Sequence, residues 1–307
     1  TLSDAQIHIW RDVEGVNPAE HLARLIDELG LGSKKLGIET RTAGLTAYNG
    51  DLVRRALDGR VSLIEASDII PSLRRIKSPT EIAYTRKAAA LSDAALDAGI
   101  EATHAGAFEG DILAAMQGAV FKGGGDYAGN EFILGSGEAA LLCRYQSGRR
   151  HLDAIDQLTI EWSGAWRRYH AAMMRTLIIG TPNDTQKCMH AAATEALEAC
   201  EHAIRPGAPM GDVFAAHARV FDAHGLSHAK LNACGYGMGA VYNPIWVDFP
   251  MFYEGNLLIM EVGNVFFLHM ILMDSEAGLA MCWGHSVLLG ENGAERLSKQ
   301  SLDLIAL

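Results

Sequence analysis

Glu161 ends the hydrophobic run DQLTIE and is flanked by Trp162 and Trp166. A carboxylate buried among indole and aliphatic side chains is hard to ionise, so its pKa rises toward the range useful for general acid–base work. The same group can attack an electron-poor amidine or ureide carbon and form a covalent intermediate that water then clears. The plainer alternative is a structural acid paired with Arg167 or Arg168. His170 and His269 also sit on apolar runs, and imidazole titrates near neutrality without special tuning, so each is a candidate proton carrier. A lone histidine on such a run is ordinarily a satisfied core residue, and that is the reading taken for His285. Tyr236, in the glycine-lined string GYGMG, either donates a hydrogen bond to a developing oxyanion or simply fills space. Arg144, in LLCRYQS, can grip a substrate carboxylate with two parallel hydrogen bonds or serve a structural ion pair. Trp246 and Asp248, in NPIWVDFPMF, are placed to shape a pocket mouth where an aromatic ring stacks on a cationic or apolar substrate. A core or dimer-contact role is favoured for that cluster.

Several elements must position these groups. The segment Ile160 to Gly180 reads as two strands, one ending at Trp162 and one running from Trp166 to Ile179, with the turn around Ser163 and Gly164. Upstream, residues 1–73 alternate helix and strand: a helix near Pro18 to Leu29, the strand KKLGIE, a helix near Thr46 to Leu57 and the strand VSLIEA. Such alternation indicates an α/β layer with a parallel component. A boundary falls in RRIKSPTEI, where Ser78, Pro79 and Glu81 supply an N-cap, a first-turn proline and a capping-box acid. Helices are then expected near 80–104, 109–121, 184–204 and 211–224, each pair followed by strands, an order that suggests two related halves.

The hairpin, the boundary string and GYGMG together resemble the creatinase, aminopeptidase P and prolidase superfamily, whose fold is nicknamed pita-bread. The resemblance implies an α+β pita-bread catalytic domain with pseudo-twofold halves over 74–307. Before it lies a partial α/β domain over 1–73, similar to the C-terminal half of the family's N-terminal domain. The metal-dependent members hold two metal ions through five side chains, two of them on the hairpin. Matching the motifs places Glu161 and Ala172 at the hairpin positions, Tyr236 at the histidine, and His269 and Gly284 at or beside the two glutamates. Alanine and glycine offer a cation no side-chain donor, so the resemblance carries the fold and not the metal. Creatinase and ectoine hydrolase are branches that cleave C–N bonds of compact nitrogen compounds without a metal, and WRRYHAAMMRT is closer to them than to prolidase. The resemblance thus implies a metal-independent hydrolase with no cofactor, Glu161 as nucleophile or general base, and His170 and His269 as proton carriers. Tyr236 joins them in the catalytic set, with Arg144, Trp246 and Asp248 binding substrate. A homodimer is also implied. Two alternatives stay open: a metal-dependent Xaa-Pro peptidase, and a silent module that holds a peptide or protein in the cleft.

Composition narrows the partners. A net charge of −11 without long acidic runs argues against nucleic acid or an anionic membrane surface and suits a small-molecule enzyme. The longest apolar stretches, near Val265 to Met273 and Met281 to Leu289, are of strand length rather than membrane length. No signal peptide is recognised, although Thr1 is not a natural start. Five widely spaced cysteines with no CxxC pair suit reduced thiols in a cytoplasmic protein.

Overall fold

The computed structural model describes the chain except Thr1, Asp12 and residues 143–147. The chain divides into two compact units, Thr1–Ser72 and Leu73–Leu307. In the first, helices α1 (Pro18–Glu28) and α2 (Ala47–Leu57) accompany two parallel strands, β1 (Lys35–Ile38) and β2 (Ser62–Glu65). Ala23, Ile26 and Leu57 are among the residues that form its small core. A short helix α3 (Ile69–Arg74) follows.

In the second unit, α4 (Pro79–Ala102) starts where the sequence predicts. The Ser78 hydroxyl accepts from the Glu81 amide, and the Glu81 carboxylate accepts from the Ser78 amide at 2.7 Å. Then come α5 (Glu109–Lys122), β3 (Ile133–Ser136), β4 (Asp156–Trp166), β5 (Tyr169–Ile179), α6 (Asp184–Ala203) and α7 (Met210–Ala223). The chain ends with β6 (Ala233–Gly237), β7 (Asp248–Tyr253), β8 (Val265–Asp274), β9 (Leu279–Gly290), β10 (Gly293–Arg296) and β11 (Ile305–Ala306). Among the described residues the strands form a nine-stranded sheet in the order β3-β4-β5-β9-β8-β6-β7, with β10 on β9 and β11 on β5. Two hairpins, β4-β5 and β8-β9, meet at the centre, and each is preceded by a helix pair, so the two halves repeat about the β5-β9 seam. Among the described residues no helix is long and apolar enough to cross a membrane.

The hairpin turn differs from the sequence expectation. Strand β4 continues unbroken through Ser163 and Gly164 to Trp166, and the chain reverses at Arg167 and Arg168, with φ of 52° and 68°. Gly164 is a glycine for a packing reason instead. A Cβ there would overlap the Ala88 carbonyl oxygen of α4 and lie 2.8 Å from the Ser92 amide nitrogen. Helix α4 is stitched to the hairpin at this point: the Gly164 amide donates to the Ser92 hydroxyl, and the Trp162 indole donates to the Ser92 carbonyl at 3.0 Å. The arginines sit in left-handed backbone that costs a residue with a Cβ about 1–2 kcal/mol.

The sheet has two unlike faces, because alternate residues of a strand point to opposite sides. On the helix-covered face, Arg175 is fully buried; its Nη1 donates to the carbonyls of Met174 and Gly284, and its guanidinium lies 4.8 Å from the Trp283 ring centre. Burial, helped by Arg296, pulls its pKa down to about 9. Nearby, His285 donates from Nε2 to Glu201, which also accepts from Arg296 at 2.8 and 3.1 Å. Burial opposes ionisation of Glu201, but the His285 and Arg296 hydrogen bonds outweigh it and hold the carboxyl at about 2. Burial pushes His285 down to about 4 despite Glu201.

Gly164→Ala should destabilise the protein by about 1–3 kcal/mol or more, since backbone cannot move aside as a side chain can. A thermal midpoint within a degree of the parent would contradict the close approach. Between its ordinary value of 6.5 and its folded value of about 4, His285 takes up a proton more readily in the unfolded chain. Its contribution is therefore present above 6.5 and lost as the pH falls. The thermal midpoint is expected to drop between pH 6.5 and 4, with a shallower slope in His285→Gln; equal slopes would show that the histidine does not carry this loss.

Candidate active site

On the other, concave face, strand register sets Glu161 beside Met174, Met174 beside Gly284, and Gly284 beside His269, one lateral row across β4, β5, β9 and β8. Tyr236 comes from β6, paired with Phe267 on β8. On a flat sheet, strands four places apart stand about 19 Å apart. Yet the Tyr236 hydroxyl donates to Glu161 Oε1 at 3.3 Å, so the sheet curls until β4 and β6 face one another. The Trp246 indole N–H donates to the same hydroxyl at 2.8 Å. With a donor already directed at its oxygen, the single phenolic proton turns to Glu161. His269 completes the group, its ring 5.6 Å from those of both Tyr236 and Phe267. Glu161, Tyr236, Trp246 and His269 are all buried.

The remaining sequence candidates lie elsewhere or play other parts. His170 accepts the Gly129 amide at Nε2, 2.9 Å away, so its proton sits on Nδ1 and is given to the Gly239 carbonyl at 3.3 Å. Burial pushes its pKa below the ordinary value, against the pull of that carbonyl. Both nitrogens are thus engaged by backbone, and the ring pins two loops rather than joining the Glu161 group. Asp248 is buried and accepts from Arg74 at 2.7 Å and from the Phe249 amide at 2.9 Å, which makes it an internal ion pair rather than part of a pocket mouth. Trp246 is likewise inside, holding Tyr236, rather than at a mouth. Arg144 lies outside the described residues.

The five positions at which the sequence resemblance expects metal ligands do not fit a dinuclear centre. Glu161 and His269 carry donors of the right kind, Tyr236 is a neutral phenol tied to Glu161, and Ala172 and Gly284 carry none. Gly284 cannot be corrected in place: a Cβ there would overlap the Leu268 carbonyl oxygen and come within 3.1 Å of His269 Cα and the Phe267 ring. Among the described residues no group of three or more His, Cys, Asp or Glu side chains gathers where it can hold a metal ion.

Beside this group opens a cavity of about 370 Å³, within the size range of small-molecule sites. Glu161, Tyr236 and His269 are not in its wall. Ser163 is, two residues along the same face of β4 from Glu161, or about 7 Å by strand geometry. Gln117, Asp126, Asn130, Glu131, Arg168 and Asn243 add further polar groups to its lining. Sequence reasoning did not single out Ser163 or Asn243, and it named Arg168 only as a pairing partner for Glu161. The Arg-Arg pair at a hairpin turn was the available signal, hidden by placing the turn at Gly164.

This chain belongs to metallopeptidase family M24, whose profile matches residues 83–291. Its unit from Leu73 onward has the pita-bread fold of the prolidases and aminopeptidases P. It superimposes on a prolidase from Thermococcus sibiricus with a TM-score of 0.86, at 23% identity, covering 96% of this chain and 78% of that one. Among curated proteins it is 28% identical to an uncharacterised hydrolase or peptidase of Sinorhizobium fredii, over 99% of this chain and 79% of the relative. It is 25% identical to the ectoine hydrolase of Halomonas elongata, over 92% of this chain and 73% of that protein. The family is one of hydrolases and peptidases acting on C–N bonds.

Gly284→Glu is expected to lower stability by more than about 3 kcal/mol and to gain no metal-dependent rise in thermal midpoint with manganese or cobalt. A folded variant stabilised by either ion would mean that the ligand cage is only one residue from complete.

Proposed function

We propose that this protein is a metal-independent hydrolase of a C–N bond in a small zwitterionic or carboxylated nitrogen compound. The observation that carries the reading is the Trp246–Tyr236–Glu161 hydrogen-bond chain, standing with His269 where a metal peptidase of the family needs five ligands. The relationship to an ectoine hydrolase along 92% of this chain supports the same substrate class.

In this reading Glu161 either attacks the electron-poor carbon or takes a proton from the attacking water. The nearby group that can give a proton to the departing nitrogen is His269, whose imidazole is suited to both directions of transfer. The Tyr236 hydroxyl, held by Trp246, keeps its one proton directed at Glu161 in the resting site and orients the carboxylate; swung from Glu161 to the substrate, the same proton is the donor for negative charge that grows as the bond breaks. Burial of the group keeps competing water away and strengthens each of these interactions.

The test is turnover of ectoine, creatine and related compounds with and without a chelator. Turnover is expected to survive the chelator and to fall by roughly 10²–10⁴-fold in Glu161→Gln. Loss of activity on chelation, or two tightly bound metal ions per chain in the purified protein, would return it to the metal-dependent Xaa-Pro peptidases. A fully active Glu161→Gln would remove the role given to the carboxylate.

A further inference from the structure

The cavity beside Glu161 is lined by charges of both signs, and the one cation that the described residues place in its wall is held in an unusual way. Arg168 occupies the second left-handed position of the β4-β5 turn, where glycine or asparagine meets less strain. Its amide donates to Asp126 Oδ2 at 2.9 Å and its Nη1 donates to the Tyr127 carbonyl at 2.9 Å. Its guanidinium lies over the Tyr242 ring, 4.7 Å from the centre. Among the described residues this guanidinium forms no ion pair and makes one hydrogen bond, so most of its five N–H groups are left for a ligand. The side chain is only half-buried, but backbone, carbonyl and ring contacts fix it at the cavity wall before anything binds.

Building on the proposed function, we infer that Arg168 is the residue that selects for a carboxylate on the substrate. A planar guanidinium stacked on an aromatic ring and tied at one Nη presents its remaining edge as a fork matched to the two oxygens of a carboxylate. Asp126, in the same wall, suits the cationic end of the same molecule. Ser163 links the cavity to Glu161 along one face of β4, so a compact zwitterion anchored at Arg168 lies with its C–N bond toward the Glu161 group. The strained Arg-Arg turn is then explained as the means of placing Arg168 at the cavity wall, the kind of site where backbone strain tends to be kept.

The experiment is calorimetric binding of ectoine, creatine and glycyl-proline, each paired with its carboxamide, to Glu161→Gln protein with and without Arg168→Gln. With Arg168 present, at least one carboxylate should bind roughly tenfold or more tightly than its amide. Arg168→Gln should abolish that preference by weakening the carboxylate alone, and Arg168→Lys should restore it in part. The inference is overturned if Arg168→Gln leaves the preference intact, if it weakens acid and amide equally, or if no carboxylate is preferred at the outset. These outcomes do not depend on whether bonds are cleaved. An Arg168-dependent preference for glycyl-proline with no turnover of ectoine or creatine by the parent protein would keep the anchor and discard the proposed reaction.

Discussion

The geometry of the concave face depends on the absence of side chains at the middle of the sheet. Gly284 sits at the centre of the row from Glu161 to His269, and a single carbon added there would collide with the Leu268 carbonyl oxygen and crowd the Phe267 ring. Because that space is left to Phe267, Tyr236 and Phe267 can pack edge to face, with the His269 ring tilted against both. Because the sheet curls over it, Tyr236 reaches Glu161 from a strand four places away. The open space at Gly284 and the Tyr236–Glu161 contact thus belong to one packing arrangement. The phenol that stands at the histidine position touches the carboxylate that persists at an aspartate position.

The opposite face explains how such a curl is held. Helix α4 meets the β4-β5 hairpin at backbone distance through Gly164 and Ser92, and on the other half α6 meets β9 through Glu201 and His285. Arg175 ties the central seam by donating from β5 to the Gly284 carbonyl of β9. That hydrogen bond fixes the backbone of the very residue whose missing side chain shapes the concave face. Losing that bond leaves a buried guanidinium donor and a buried carbonyl short of a partner, so the seam is costly to open.

Much of this arrangement was legible in the sequence, and what escaped has definite physical causes. The N-cap at Ser78 and the four long helices of the larger unit follow from local rules of capping and periodicity and appear close to their expected bounds, and the two apolar hairpin strands form where expected except at the turn between them. The hairpin turn was misplaced because Gly164 has two possible reasons to be glycine, a turn or a close backbone approach, and only the neighbour decides between them. The turn that forms uses two arginines in left-handed backbone, against their own preference, which no local rule suggests. For the site, the resemblance placed Glu161, Tyr236 and His269 near one another. It did not separate them from His170, because the distinction lies in the Gly129 amide and Gly239 carbonyl, which sequence patterning does not bring to one ring.

The distribution of charges on the concave face has a cost that a passive surface does not need to carry. A pocket without a chemical role has no reason to keep a buried carboxylate, since burying one without compensation is unfavourable. Here the carboxylate of Glu161 is retained and receives a hydrogen bond from Tyr236, and Tyr236 is itself oriented by Trp246, so three side chains from three segments are arranged about one oxygen. A short distance along β4 the chain also tolerates strain at Arg167 and Arg168 and places a cation on a cavity wall. Each feature alone has a structural explanation. Together they put a hydrogen-bonded carboxylate, an imidazole and a guanidinium on one side of one curled sheet, the groups that the proposed reaction on a small charged substrate requires.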